Sequence, residues 1–165
     1  MATERSPVSW GDFEARAPRL AALGSERFER TRVAILGTVR ADGSPRISPI
    51  EPVLANGRLL LGAMPSLKRG DLERDPRCAL HSSISDVNGS EGEFKIHGRA
   101  ILAGDEIRDA EYEAWWKSFP RESAAVFDVD IRSAVFVGWD TSNSELRVMR
   151  WTPQDGVTEH RRPYP

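Results

Sequence analysis

The sequence predicts a mainly β domain of the α+β class, a small antiparallel barrel with peripheral helices. Three observations predict it. Short β-branched apolar runs are joined by the tight turns Asp42-Gly43 and Asn56-Gly57. Helical periodicity is confined to segments outside those runs. The element order is helix, three-strand meander, short helix, two strands, helix, two strands, without the regular alternation that builds a parallel sheet.

Each element has its own signal. Trp10, Phe13, Ala17 and Leu20 recur at helical spacing, so residues 9–30 read as one helix capped by Ser9. Val33 to Val39 is a strand that ends at Asp42-Gly43. A second strand, Arg46 to Leu54, closes at Asn56-Gly57, and Arg58 to Ala63 is the third. Pro49 and Pro52 cannot donate ladder hydrogen bonds, which places the second strand at an edge or where something other than a strand covers it, and leaves neighbouring carbonyls open to a ligand. Ile47, Pro49 and Val53 share one face of that strand, and Arg46 and Ser48 share the other. Leu67 to Arg74 is a short helix capped by Ser66, followed by strands over Arg77 to Ser83 and Phe94 to Leu102. A helix from about Asp105 ends before Pro120. Ile131 to Trp139 and Glu145 to Trp151 form a closing hairpin through Thr141–Ser144, and residues 152–165 read as a loosely held, flexible tail.

The 165 residues fit one domain, 1–165, with residues 1–30 as its N-terminal helix region. With 23 basic against 25 acidic residues, the chain carries no bulk charge for nucleic acid. No apolar run approaches the roughly 20 residues that span a bilayer, so no membrane role is expected. No secretory signal is visible at Met1–Arg5, which makes the cytoplasm the expected location. A single cysteine, Cys78, excludes an intrachain disulfide and reads as a buried, inert thiol. His81, His97 and His160 lack helical metal-site spacing, and no metal site is predicted. There is no nucleophile elbow, Walker loop or Rossmann fingerprint, and catalytic residues are not identifiable. The five tryptophans, Trp10, Trp115, Trp116, Trp139 and Trp151, read as core and interface anchors.

Chemistry concentrates where the third strand enters the short helix, at Gly62-Ala63-Met64-Pro65-Ser66-Leu67-Lys68-Arg69. Two cations in the first turn oppose the helix dipole unless an anion sits nearby. A phosphate would meet the free N–H groups, the Ser66 hydroxyl and the Lys68 ammonium. The alternative is that both cations are solvated and pair with Asp71 or Glu73. Arg46 and Ser48 form a second polar feature, open either to an anion or polyol or simply to water.

The runs Arg32 to Arg46, Gly57 to Gly62 and Ser66 to Leu80, continued by Gly98-Arg99-Ala100 and the Phe127-to-Val137 region, resemble the pyridoxamine 5′-phosphate oxidase-like superfamily over about residues 28–151. The resemblance implies the FMN-binding split barrel, a homodimer with two flavin-type sites at the subunit interface, and oxidoreductase activity by hydride transfer to a small substrate of unknown identity. Carried over by position, Arg46, Ile47, Ser48 and Pro49 would line the ribityl chain and ring edge. Leu61 and Gly62 would lie beside the flavin, and Ser66, Lys68 and Arg69 would hold its phosphate.

Departures bear on the reaction. Glu51 stands where true pyridoxamine phosphate oxidases carry a lysine for the substrate phosphate, and their arginine-rich C-terminal motif is missing. Vitamin B6 oxidation is therefore disfavoured. Leu67 stands where the family often places a phosphate-binding arginine, so either Arg69 or Arg46 compensates or phosphate binding is weaker. Glu93 falls near a position that is often a glutamine facing the partner's flavin. The implied cofactor is FMN, with the deazaflavin coenzyme F-420 as the alternative and haem, on one histidine, behind both. The competing function is a non-catalytic flavin- or haem-binding carrier or sensor of the same fold.

Overall fold

The structure is a computed structural model that describes residues 6–115 and 120–164. Two helices, α1 (Trp10–Arg16) and α2 (Pro18–Thr31), replace the single helix expected over residues 9–30. Pro18 has no N–H to continue the ladder, and Ala17 leaves the helical region at φ −143° and ψ 56°, so α2 restarts with its proline in the first turn. The predicted face survives the break, since Trp10, Phe13, Ala17 and Leu20 are all buried. Ser9 caps α1 through a reciprocal capping box with Asp12.

The meander also divides. β1 (Ala34–Val39) pairs with β2 (Pro45–Ile50), while β3 (Pro52–Ala55) pairs with β4 (Arg58–Ala63). The expected strand Arg46 to Leu54 is therefore two strands separated by Glu51 alone. After the break Val53 is buried with Leu60 and Val126, whereas Ile47 is 75% exposed, so the shared face predicted for them is corrected. At Asn56-Gly57 both residues have positive φ, 50° and 69°, as a two-residue hairpin turn requires.

Helix α3 (Leu67–Arg74) follows β4 with the predicted bounds and cap. Next come β5 (Arg77–Ser82), β6 (Glu93–Leu102), α4 (Asp105–Trp115), the long β7 (Ala125–Asp140), β8 (Glu145–Thr152) and β9 (Gly156–Pro163). The predicted helix end at Ser118-Phe119 and the anchor Trp116 lie outside the described residues, as do Met1–Arg5 and the side chain of Trp115. The flexible tail expected after Thr152 is corrected, because β9 pairs with β8 along its whole length, from Thr152↔Gly156 to Glu145↔Pro163. That strand is mostly exposed, so no apolar alternation announces it.

The main sheet runs β2-β1-β5-β6-β7-β4-β3, and every pairing is antiparallel. Its two edge strands, β2 and β3, are consecutive in sequence, so the sheet must roll until its edges meet at Glu51. Both prolines fall on these edges, where a missing N–H costs nothing. One long strand splits the sheet: β7 pairs with β4 over Ala125–Asp128 and with β8 over Ala134–Asp140. The gap between them is filled by the N-terminal segment, where Ile131 N–H donates to the Val8 carbonyl at 2.9 Å. Inside, Trp10, Phe13, Phe28, Phe94 and Trp151 form one aromatic cluster under α1 and α2.

Candidate functional site

A cavity of about 490 Å³ opens where β2 passes into β3. Val33, Pro49, Ile50, Glu51, Gly62, Ala63, Met64, Ser66, Lys68 and Ala124 line it. The walls are mainly apolar with a few charged or hydroxyl side chains, Glu51, Ser66 and Lys68, the usual composition of a small-molecule site. Ser66 also lines a second cleft of about 440 Å³, which carries Arg40, Asp42, Arg46, Asp71 and Arg74. A ligand lying across Ser66 would therefore put an apolar body in the first cavity and an anionic end in the second.

The predicted site residues divide accordingly. Pro49, Gly62, Ser66 and Lys68 meet in the larger cavity, and Arg46 joins Ser66 in the adjoining cleft. Leu61 is fully buried in the core behind Gly62. Ile47 points to the opposite, outer face with Ile35, Gly37 and Ala79. Ser48 lines neither space. Arg69 is spent elsewhere: Nε donates to Glu73 at 2.8 Å and one terminal nitrogen to the Ser123 carbonyl at 2.9 Å. Of the two arginines, Arg46 is the one that borders the cleft, beside Leu67, which is 73% exposed. Sequence reasoning did not assign Val33, Ile50, Ala63, Met64 or Ala124 to the cavity. Ala63 and Met64 fall in the singled-out Gly62–Arg69 segment without a role of their own, and Val33, Ile50 and Ala124 carry no signal short of the strand break, which was itself unpredicted.

Lys68 Nζ donates to the Pro49 carbonyl at 2.6 Å. The carbonyl left open by the proline pattern is thereby taken, and the ammonium is held at the cavity wall. The Ser66 hydroxyl accepts from Arg69 N–H at 3.4 Å, a long cap that leaves the hydroxyl proton uncommitted. Arg46 Nε donates to Asp71 Oδ2 at 2.6 Å, and this bond, aided by Thr38 and Arg74, holds the Asp71 carboxyl below the usual range. Glu51 is exposed at the cavity and has no partner among the described residues. Glu93 lies elsewhere, bonded to His81 Nε2 at 3.1 Å and paired with Lys95, so its charge is compensated. Cys78 is buried, and burial pushes its thiol up to about 12, as expected of an inert side chain.

An antiparallel sheet split along one long strand, with a ligand-sized cavity at its seam, defines a split-barrel domain. Residues 24–137 match the family model described as Pyridoxamine 5'-phosphate oxidase, and the chain belongs to that family. No curated protein matches the sequence significantly. Among solved structures, PhzG from Burkholderia lata 383, in complex with tetrahydrophenazine-1-carboxylic acid, superposes with TM-score 0.68 at 11% identity, covering 86% of this chain and 88% of its own. A pyridoxamine 5'-phosphate oxidase-related, FMN binding protein from Nostoc punctiforme PCC 73102 gives 0.61 at 12% identity, covering 88% and 96%. HutZ, the haem storage protein from Vibrio cholerae, gives 0.53 at 14% identity, covering 69% and 91%. At such identities the likeness is one of fold. No helix of the described residues is long and apolar enough to cross a membrane.

Proposed function

We infer that this protein binds FMN and transfers hydride between it and a small substrate. The observation that carries the reading is the pair of spaces meeting at Ser66, one apolar and flavin-sized, the other lined by guanidinium groups. The donor set suits a phosphate ester: a lysine ammonium, a serine hydroxyl and an arginine whose terminal nitrogens have no partner among the described residues. Bound flavin would supply the redox chemistry, while the chain's own residues bind and orient it. Pro49, Ile50, Ala63 and Met64 would exclude water from the ring. Lys68 would trade its bond to the Pro49 carbonyl for the ligand's anionic end.

Glu51 supports a substrate other than a phosphorylated B6 vitamer, since a second phosphate entering the cavity would meet an uncompensated carboxylate. The FMN-loaded protein is accordingly expected to leave pyridoxamine phosphate and pyridoxine phosphate unoxidised. Haem is less well served. His81 is bonded to Glu93 and the Ser82 carbonyl, His97 lies on the outer face, and His160 lies on exposed β9, so no histidine lines the larger cavity. The protein is proposed to work as a homodimer in the cytoplasm. The outer apolar strip of Ile35, Gly37, Ile47 and Ala79 is the surface a second copy would cover.

Absorption spectra after adding FMN, the deazaflavin coenzyme or haem, followed by desalting, test the reading. A retained flavin band supports it. A retained Soret or deazaflavin band in its place, or no retained chromophore, overturns FMN as the cofactor. Light scattering that shows a monomer at micromolar concentration overturns the dimer.

A further inference from the structure

Asp71 is the most heavily bonded carboxylate beside the candidate site, and the reading above gives it no role. It sits on α3 at 4% exposure, between β1 and β2. Its Oδ2 accepts from Thr38 Oγ1 at 2.9 Å and from Arg46 Nε at 2.6 Å, and its Oδ1 accepts from an Arg74 terminal nitrogen at 3.2 Å. Removing a carboxylate this buried from its partners would strand charge on both sides, so the cluster is fixed in place. It grips Arg46 by Nε alone. The two terminal nitrogens of that guanidinium remain without a partner among the described residues, in a cleft where Arg40, Arg46 and Arg74 outnumber Asp42 and Asp71.

A free arginine side chain samples many rotamers, and ordering it on binding costs affinity. We propose that Asp71 is a positioning residue: it holds Arg46 by Nε so that the terminal nitrogens are already arranged for a phosphate, and the cleft thereby selects phosphorylated over unphosphorylated flavin. This rests on the flavin reading above. Thr38 and Arg74 complete the clamp, fixing the carboxylate from β1 and from the far end of α3.

The test compares dissociation constants of FMN and riboflavin for wild type, Asp71→Asn, Arg46→Ala and the double variant. Wild type should prefer FMN by at least about tenfold. Asp71→Asn should lose about tenfold in FMN affinity while riboflavin affinity stays within about twofold, and should cost nothing further in the Arg46→Ala background, because interacting residues are non-additive. Arg46→Lys keeps the charge but lacks the second row of nitrogens, so it should lose the preference too. It carries the test if Asp71→Asn fails to fold. Equal binding of FMN and riboflavin by wild type, an Asp71→Asn loss common to both ligands, or a preference intact in Arg46→Lys overturns the clamp and leaves flavin binding standing. Wild type binding neither ligand overturns the flavin reading and the clamp together.

Discussion

Helices α2 and α3 cover the same barrel by opposite means. α2 buries Leu20, Ala21, Gly24 and Phe28 and lies so close to the sheet that a Cβ on Gly24 would come within 2.5 Å of the Phe94 ring. Its one buried charge, Arg27, meets Glu91 at 2.9 Å with both side chains only 3% exposed. α3 buries only Asp71 and Leu72. It is tied down by cations that reach backbone carbonyls on three separate segments: Lys68 to Pro49 at 2.6 Å, Arg69 to Ser123 at 2.9 Å and Arg74 to Val39 at 2.5 Å. An apolar cover yields stability that no ligand can borrow. A cover held by exposed charged donors can exchange a carbonyl for a phosphate at little cost, because the two bonds are of similar kind.

The largest effect should come from breaking the apolar cover. Phe94 is fully buried and packs against Trp10, Phe13 and Phe28. Phe94→Ala should lose about 3–5 kcal/mol in urea unfolding, the usual cost of deleting a buried aromatic ring. The variant that remains folded should bind flavin as wild type does. A comparable loss of flavin affinity would show that the two covers are not independent.

On the polar side, Lys68→Ala should remove a charge-assisted bond to the ligand worth on the order of 1.5–3 kcal/mol, roughly a tenfold to hundredfold loss of FMN affinity by titration. Its urea midpoint should hardly move, since the bond lost in the free protein is exposed. Arg19→Ala, on the exposed face of α2, is the control and should change neither quantity.

Acid tests the charged tie of α2 at Glu91. Glu91 accepts N–H groups from Asp86 and Ser85 and the Arg27 guanidinium, and these hold its carboxyl down at about 2, the Asp86 amide contributing most. A depressed carboxylate contributes stability that is complete above the ordinary glutamate range and is lost as pH falls toward 2. Urea midpoints should therefore fall between about pH 4.5 and 2 in wild type. Glu91→Gln should be less stable at neutral pH and should fall less steeply over that range. Parallel curves for the two proteins would remove Glu91 as the acid-sensitive tie.

Legibility in the sequence follows the same division. Elements whose signal is local were readable: β4 and α3 keep their predicted bounds because a turn dipeptide, a cap and a proline mark their ends, and Cys78 was readable from its apolar run. The α1–α2 break was marked by Pro18 yet hidden by the apolar spacing that continues through it. The β2–β3 break is set by closure of the whole sheet, which no window of residues contains. That is why the cavity's Ile50 and Ala124 escaped while Ser66 and Lys68, whose charge pattern is local, did not. Strand β9 escaped because its alternation faces water on both sides. Arg69 misled because a cation in the first turn of a helix carries no mark of which carbonyl it will reach.

The smallest expected effect is at Cys78, the second residue of β5 and four residues past the end of α3 at Arg74, with its thiol pushed up to about 12 by burial. At pH 8 the thiolate fraction is on the order of one in ten thousand, so iodoacetamide should not label the folded protein measurably. The thiol becomes available only when the core around β5 opens. Release of a polar tether should leave that core closed, and Lys68→Ala should label no faster than wild type. Loss of the Phe94 ring lowers the free energy of opening, so Phe94→Ala should label faster in proportion to the opened population. Faster labelling in Lys68→Ala would mean that the tethers of α3 carry part of the core's stability, and the contrast between the two covers would fail.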